Sequence, residues 1–400
     1  MSSQQRVYLH VGLPKTGTSF VQALLFSARH ELRAAGVLYP ARHYDDHFFA
    51  ALDLQDLAFN EVRRPEAKGR WEQVAAQVRA WPGTSIVSSE VLSAASLEQI
   101  VGAVESLAPA EVHLVVTVRD LGTHLVSTWQ EDVKHGETAT FADWFSAVSA
   151  HDGSRWNLAW YWRSADLPSV LDRWVAGVPA ERVHVVTVPP ADATPDTLWR
   201  RFSQAVDLDL SVVDPPRPGW SNSGLGTEST ALLRRLNATR EGRLDQVAYE
   251  HLVKGLLAHE TLTRYPRPIR AGLPADVHAV VQSRADQWIE VVRGSGVEVI
   301  GDLADLRIGP ADSTGPDGVA DDDVLDVAAF ATWELLLRVR ATDARVAELE
   351  SEVAALRAER DQPTPAGPAR RLVRRASERS PAVMRARVAW WHTVERLRDR

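Results

Sequence analysis

The sequence predicts an α/β fold: a mainly parallel central sheet in three layers, opened by a phosphate-binding loop, with a helical and coiled-coil extension at the C-terminal end. Three observations carry this. Over residues 1–310, short β-branched runs alternate with longer amphipathic stretches. A glycine-containing turn joins the first of those runs directly to a helical pattern. Beyond residue 325 the apolar residues change to alternating spacings of three and four.

The expected strands are Arg6–Val11, Ser85–Ser88, Val112–Val118, Arg182–Val188 and Val297–Ile300. Each is apolar along most of its length without clean alternation, as in strands covered on both faces of a parallel sheet. Apolar periodicity predicts helices over Ser19–Ala35, Leu97–Leu107, Thr123–His135, Phe141–Ser149, Leu167–Ala176 and Thr197–Val206. Two longer helical patterns, Thr227–Arg240 and Asp245–Thr263, follow the fourth strand. Together these form an α/β domain over residues 1–308. Residues 309–325 combine Gly, Pro, Ser and Asp and read as a flexible linker.

Residues 326–361 read as a helix. Within it Leu335, Val339, Thr342, Val346, Leu349, Val353 and Leu356 fall on the a and d positions of a short coiled coil. Such a stripe suits either self-association through residues 332–357 or packing on the chain's own domain. The run PTPAGP at 363–368 ends the helix. Residues 362–400 hold ten arginines against Glu378, Glu395 and Asp399, with Trp390 and Trp391 among them. This basic tail fits a helix lying on an anionic membrane surface, or a disordered or partner-bound segment.

Composition excludes several classes. None of the 400 residues is cysteine, which rules out a disulfide scaffold, a thiolate metal site, an iron–sulfur cluster and a cysteine nucleophile. A net charge of −8 argues against a general nucleic-acid binder. No apolar run approaches the ~18 residues of a membrane span. Met1–Val7 lacks the basic and apolar regions of a secretory signal, so a cytoplasmic location is expected, with peripheral membrane contact through the tail as a variant.

The strongest local signal is Gly12-Leu13-Pro14-Lys15-Thr16-Gly17-Thr18-Ser19, between the first strand and the first helix. A strand, a tight turn and a helix N-terminus gather backbone N–H groups around one point, where the helix dipole also favours an anion. Lys15 adds a cation, and the hydroxyls of Thr16, Thr18 and Ser19 add donors. The spacing is close to G-x-x-x-x-G-K-[ST], but Thr18 stands where the nucleotide-binding lysine belongs, and the lysine lies inside the loop. A second element, Val115-Val116-Thr117-Val118-Arg119, ends a strand in an arginine, with Ser127 eight residues on. A guanidinium at a strand end and a hydroxyl on the next helix can converge on one phosphate.

With both elements in this order, the chain resembles the sulfotransferases that use 3′-phosphoadenosine 5′-phosphosulfate (PAPS). The loop resembles that family's P-K-[ST]-G-T-[ST] pattern, which holds the 5′-phosphosulfate; Arg119 and Ser127 match the pair that binds the 3′-phosphate. The likeness extends loosely over residues 6–305, including GVLYP at 36–40 and the stretch at 170–188. It implies PAPS as donor, adenosine 3′,5′-bisphosphate as product and no metal. Pro14, Lys15, Thr16, Gly17, Thr18, Ser19, Arg119 and Ser127 are the implied donor-binding residues. Asn222 and Ser223 stand where a late loop grips the nucleotide, or else open the helix at Thr227. The K-x-G-x-x-G-x-W-K motif of the animal cytosolic branch is absent.

The resemblance also implies sulfuryl transfer to a hydroxyl of a small molecule, carbohydrate or lipid, with Lys15 on the leaving-group side. The general base is Glu90, after the second strand, or His47, in the polar segment His43–Phe49; His43 and His10 rank below them. The run Trp156–Trp162 suits either core packing or an acceptor pocket. Two other functions compete: a kinase or nucleotide hydrolase of the P-loop type, and a nucleotide-binding assembly protein acting through its coiled coil.

Overall fold

The computed structural model describes residues 5–58, 64–151, 156–213, 224–270, 272–313, 315–361 and 368–398. Six strands form one sheet: β1 (Arg6–His10), β2 (Val37–Leu38), β3 (Thr84–Ser88), β4 (Glu111–Val118), β5 (Val183–Thr187) and β6 (Glu298–Ile300). Their order is β2-β3-β1-β4-β5-β6, and every pairing is parallel. The chain leaves β1 for the β2 edge, returns to β3 and then crosses β1 to reach β4. Strand order therefore reverses around β1, and the crevice outside the carboxyl ends of β3, β1 and β4 is where such sheets bind ligands.

Side chains alternate across the sheet. Val7, Leu9, Leu114 and Val116 join one buried cluster, while Tyr8, Ile86, Val115 and Val186 join another on the opposite face. The first helices are α1 (Thr18–Ser27), α2 (Arg29–Ala34), α3 (Asp46–Gln55), α4 (Arg70–Ala80) and α5 (Leu97–Leu107). They are followed by α6 (Leu121–Lys134), α7 (Phe141–Ser149), α8 (Trp156–Ser164), α9 (Leu167–Val175) and α10 (Thr197–Ala205). Leucines of α1 and the Trp199–Phe202 face of α10 cover the Tyr8 side. Trp129 of α6, Trp144 of α7 and Trp174 of α9 lie fully buried in the larger cluster on the Val7 side. Truncating one such tryptophan to alanine costs about 3–5 kcal/mol.

After α11 (Thr227–Ala238), the pattern read as one helix over Asp245–Thr263 divides. It opens as α12 (Gln246–Tyr249) and continues as a π-helix over Glu250–Thr261, where the Thr261 hydroxyl donates to the carbonyl of Leu256 at 2.8 Å. Helix α13 (Ala275–Gly294) then packs Trp288 and Ile289 inward.

The described residues of 309–325 are tied down at several points. The N–H of Asp312 donates to the carbonyl of Leu273 at 2.7 Å. The Asp317 carboxylate accepts the N–H groups of Phe141 and Ala142 at 2.9 and 3.0 Å, capping α7. Helix α14 (Asp321–Asp361) buries Val324, Val327 and Ala331. The first compact unit runs to Thr332, past the boundary expected at 308 and the flexible linker expected at 309–325. The aspartates that gave the segment its linker-like composition serve here as caps and loop clamps. The second unit, Trp333–Arg400, holds the rest of α14 with α15 (Pro368–Arg379) and α16 (Pro381–Arg398). No helix among the described residues is long and apolar enough to cross a membrane.

Four histidines are buried among the described residues of the first unit: His10, His47, His124 and His184. Burial pushes His10 and His124 down to about 3 and His47 down to about 4, against an ordinary value of 6.5. These three are neutral when folded. The unfolded chain takes up their protons as pH falls below 6.5, so their neutrality is free above that pH and destabilises the fold progressively below it. Each adds a slope of about 1.4 kcal/mol per pH unit between those limits. Urea unfolding should show stability falling from pH 6.5 toward pH 4.5, with a shallower profile in His124→Leu; identical slopes for the two proteins would contradict this assignment.

Candidate functional site

The loop from Gly12 to Ser19 leaves β1 at the strand-order reversal and runs into α1. Its first residues extend the sheet: the N–H groups of Val11 and Leu13 donate to the carbonyls of Val115 and Thr117 at 3.0 and 2.7 Å. Gly12, Lys15 and Gly17 all take positive φ, at 69°, 65° and 85°. For Lys15 this left-handed conformation costs roughly 1–2 kcal/mol. None of the backbone N–H groups of Lys15, Thr16, Gly17, Thr18 and Ser19 has an acceptor among the described residues. A cradle of free amides at a helix N-terminus fits a phosphate or sulfate group.

A buried polar chain supports the loop from below. His10 Nδ1 lies 2.8 Å from Ser88 Oγ, and its Nε2 lies 3.2 Å from Thr117 Oγ1. Thr117 Oγ1 is 2.6 Å from Thr16 Oγ1, which also donates to the carbonyl of Leu13 at 2.6 Å. The Thr16 hydroxyl, expected to face a ligand, is thus turned into the sheet, and only its backbone N–H remains for the cradle. Thr18 is buried at the start of α1, Ser19 is exposed and Pro14 is half-buried.

Arg119, just past β4, reaches across to the loop. Its Nη1 donates to the carbonyl of Lys15 at 3.2 Å, while its Nε is buried without a hydrogen-bond partner. Asp120 stands 3.9 Å from that Nε and spends its carboxylate capping α6 through the N–H of Thr123. Burial pulls the guanidinium down from its ordinary range, opposed by Asp120 and reinforced by Arg270. A half-buried guanidinium with a buried orphan Nε, beside a loop of free amides, suits an anion.

Ser127 lies half-buried on α6. One turn on, Glu131 occupies the same helix face, and its Oε2 receives Lys15 Nζ at 3.0 Å. Lys134 Nζ also reaches Oε2, at 3.1 Å, and Lys254 Nζ, from the π-helix, approaches Oε1 at 3.4 Å. His135 Nε2 sits 2.6 Å from Lys254 Nζ and 3.4 Å from Glu131 Oε1. Burial alone would raise the Glu131 carboxyl, but Lys15, His135, Lys134 and Lys254 hold it well below the usual range. This cluster escaped the sequence reading. Its signal was available in the helical spacing, since residues 127, 131 and 134 line one face of the helix that follows Arg119.

The two expected bases fare differently. Glu90 opens the turn after β3 at the edge of the loop: a Cβ built on Gly12 would stand 3.0 Å from Glu90 Cβ. Its Oε2 accepts from Gln22 Nε2 at 2.8 Å. His47 is corrected. Its Nδ1 accepts the N–H of Ser88 at 3.2 Å, so Nε2 carries the proton and donates to the carbonyl of Pro40 at 3.3 Å. Both nitrogens are engaged in a buried site, and His47 ties α3 to β3. His43 is exposed, and His10 belongs to the chain beneath the loop. Asn222 and Ser223 lie outside the described residues. In the Trp156–Trp162 run, Leu158 and Tyr161 are fully buried in the core, and Arg284 stacks over Trp162 at 4.4 Å. Among the described residues no group of three or more His, Asp or Glu is placed to hold a metal ion.

Fold and site together define an α/β protein whose P-loop-like turn opens at the carboxyl edge of an all-parallel sheet. No protein-family model matches the chain, and no curated protein does. Among solved structures it is similar to a sulfotransferase from Alicyclobacillus acidocaldarius, with a TM-score of 0.37 and 14% identity, over 62% of this chain and 100% of that one. A likeness of that size carries no functional argument, which rests on the site itself.

Two substitutions test the geometry. In Gly12→Ala the new Cβ would lie 2.8 Å from Thr18 Cγ2 at a φ of 69°, so a stability loss of about 1–3 kcal/mol is expected in thermal unfolding. Glu131→Gln leaves three ammonium groups around a neutral amide. A loss of roughly 2–4 kcal/mol in low salt is expected, recovered in large part by added inorganic sulfate; a melting temperature indifferent to both would show that the carboxylate does not hold the lysines together.

Proposed function

We propose that this chain is a sulfotransferase that binds PAPS at the Gly12–Ser19 loop and Arg119, and sulfates a hydroxyl of a small molecule, carbohydrate or lipid. The observation that carries the reading is the half-buried Arg119 guanidinium against the Lys15 carbonyl, with its Nε buried and unpartnered. It provides a second anion site beside the amide cradle, and a donor with phosphates on both its 3′ and 5′ sides needs two. Fit is supported by the free N–H groups of residues 15–19 and by the orphan Nε of Arg119.

When bound, the donor supplies an activated sulfuryl group on a phosphate oxygen. The amides of residues 15–19, with the Thr18 and Ser19 hydroxyls, hold the 5′ end. Arg119 and Ser127 hold the 3′-phosphate. Lys15 Nζ exchanges Glu131 for the oxygen that gathers charge as the sulfur–oxygen bond breaks. The Glu90 carboxylate accepts the acceptor's hydroxyl proton as the new sulfur–oxygen bond forms. A kinase reading would need a lysine opening α1, where this chain has Thr18.

Adenosine 3′,5′-bisphosphate should raise the melting temperature, and ATP with magnesium should do so less. Arg119→Ala should weaken bisphosphate binding roughly 10–100-fold, in line with about 1.5–3 kcal/mol for a charge-assisted contact. Stronger stabilisation by ATP with magnesium, or bisphosphate affinity indifferent to Arg119, would sink the reading.

A further inference from the structure

Among the described residues of the second unit, nothing covers the seam of α14 beyond Thr332. Val339, Val346, Leu349, Val353 and Leu356 are 55, 47, 42, 44 and 59% exposed. Valine stands at each of three successive a positions, 339, 346 and 353. Leucine stands at d positions 335, 349 and 356, with Thr342 between them. A β-branched residue at a with leucine at d favours two parallel strands. Thr342 interrupts the seam, but its hydroxyl donates to the carbonyl of Arg338 at 2.9 Å, so the layer leaves no orphan donor.

The flanking charges select among partners. Arg338, Arg345 and Glu352 occupy g positions; Asp343, Glu350 and Arg357 occupy e positions. In a parallel, in-register pair each g residue faces the e residue five places on in the other strand. The resulting pairs are Arg338 with Asp343, Arg345 with Glu350 and Glu352 with Arg357, opposite in sign at every step. Within its own helix Arg345 meets Glu348 at 2.5 Å, so its cross-strand pair would share or replace that contact. An antiparallel pair sets g against g and e against e, and brings the e-position carboxylates together.

We propose that residues 335–357 form a parallel, in-register, two-stranded coiled coil with a second copy of this chain. The seam supplies the apolar surface, and the complementary g and e charges fix orientation and register. This is independent of the proposed reaction, since none of these residues belongs to the site at the sheet edge.

The absence of cysteine allows a clean test on the full-length chain. Leu335→Cys and Leu356→Cys, made separately and oxidised, should each give disulfide-linked dimers at high yield. Cross-linking only when the two variants are mixed would mean antiparallel strands and would overturn the proposal, as would a wild-type protein that sediments as a monomer at tens of micromolar. The pair Arg338→Glu with Arg345→Glu should weaken the dimer roughly tenfold or more. Mixing that variant with Asp343→Lys and Glu350→Lys should restore affinity as a heterodimer. Circular dichroism and bisphosphate-induced stabilisation, unchanged in all variants, separate lost pairing from lost folding; a dimer insensitive to the charge reversal would show that it forms elsewhere.

Discussion

The hydrogen-bonded path from Ser88 through His10 and Thr117 to Thr16 is the constraint on which the site depends. It crosses three adjacent strands at their carboxyl ends and finishes under a loop with three positive φ angles. A loop of that shape, including a lysine in a left-handed conformation, needs its backbone held from outside. Thr16 supplies one anchor, the sheet carbonyls of Val115 and Thr117 a second, and Arg119 a third through the Lys15 carbonyl. Each anchor uses a loop carbonyl, a hydroxyl or an amide that precedes Lys15. The amides from Lys15 to Ser19 are left over because nothing in the anchoring scheme consumes them.

His10 shows why an apolar strand tolerates a polar residue at that place. An imidazole fully buried between two hydroxyls can be satisfied at both nitrogens only while neutral, with one donating and one accepting. Burial holds it in that form. The same argument removes His47 from the chemistry: an imidazole that accepts a backbone N–H at one nitrogen and donates at the other has no lone pair to offer an acceptor hydroxyl. Burial and satisfied geometry thus separate structural histidines from reactive ones, and neither is visible in a run such as His43–Phe49.

The legible parts of the sequence were those whose physics is local. Five strands, the loop and the helices from Leu97 to Val206 follow from periodicity and turn chemistry, and the structure brings Arg119 to Lys15, the juxtaposition on which the motif reading turned. Edge strand β2 is two residues long and too short for a periodic signal. Helix α3 begins in the polar run at Asp46, whose carboxylate accepts the N–H groups of Arg42 and His43 and closes the preceding turn. The π-helix is invisible to a period of 3.6. Composition misled at residues 309–325 because aspartates that cap helices and aspartates that solvate linkers look alike. Glu131 was missed because its role comes from Lys15 and Lys254, each more than a hundred residues away in the chain.

Glu131 also explains how a loop lysine can be both held and available. A carboxylate paired with one lysine would be left as a nearly buried, uncompensated charge if that lysine moved, at a cost of several kcal/mol. Here Lys134 at 3.1 Å and Lys254 at 3.4 Å stand beside Lys15 on the same carboxylate and would still compensate it if Lys15 left. Departure of Lys15 also relieves repulsion among three ammonium groups crowded on one acceptor. The exchange of Lys15 from Glu131 to an incoming anion therefore starts from a state with little to lose. Under the proposed function, a phosphate or sulfate oxygen in the amide cradle would compete with a carboxylate whose charge is already shared three ways. Under the proposed function, that crowding makes Lys15 a cation that can be exchanged beside the cradle.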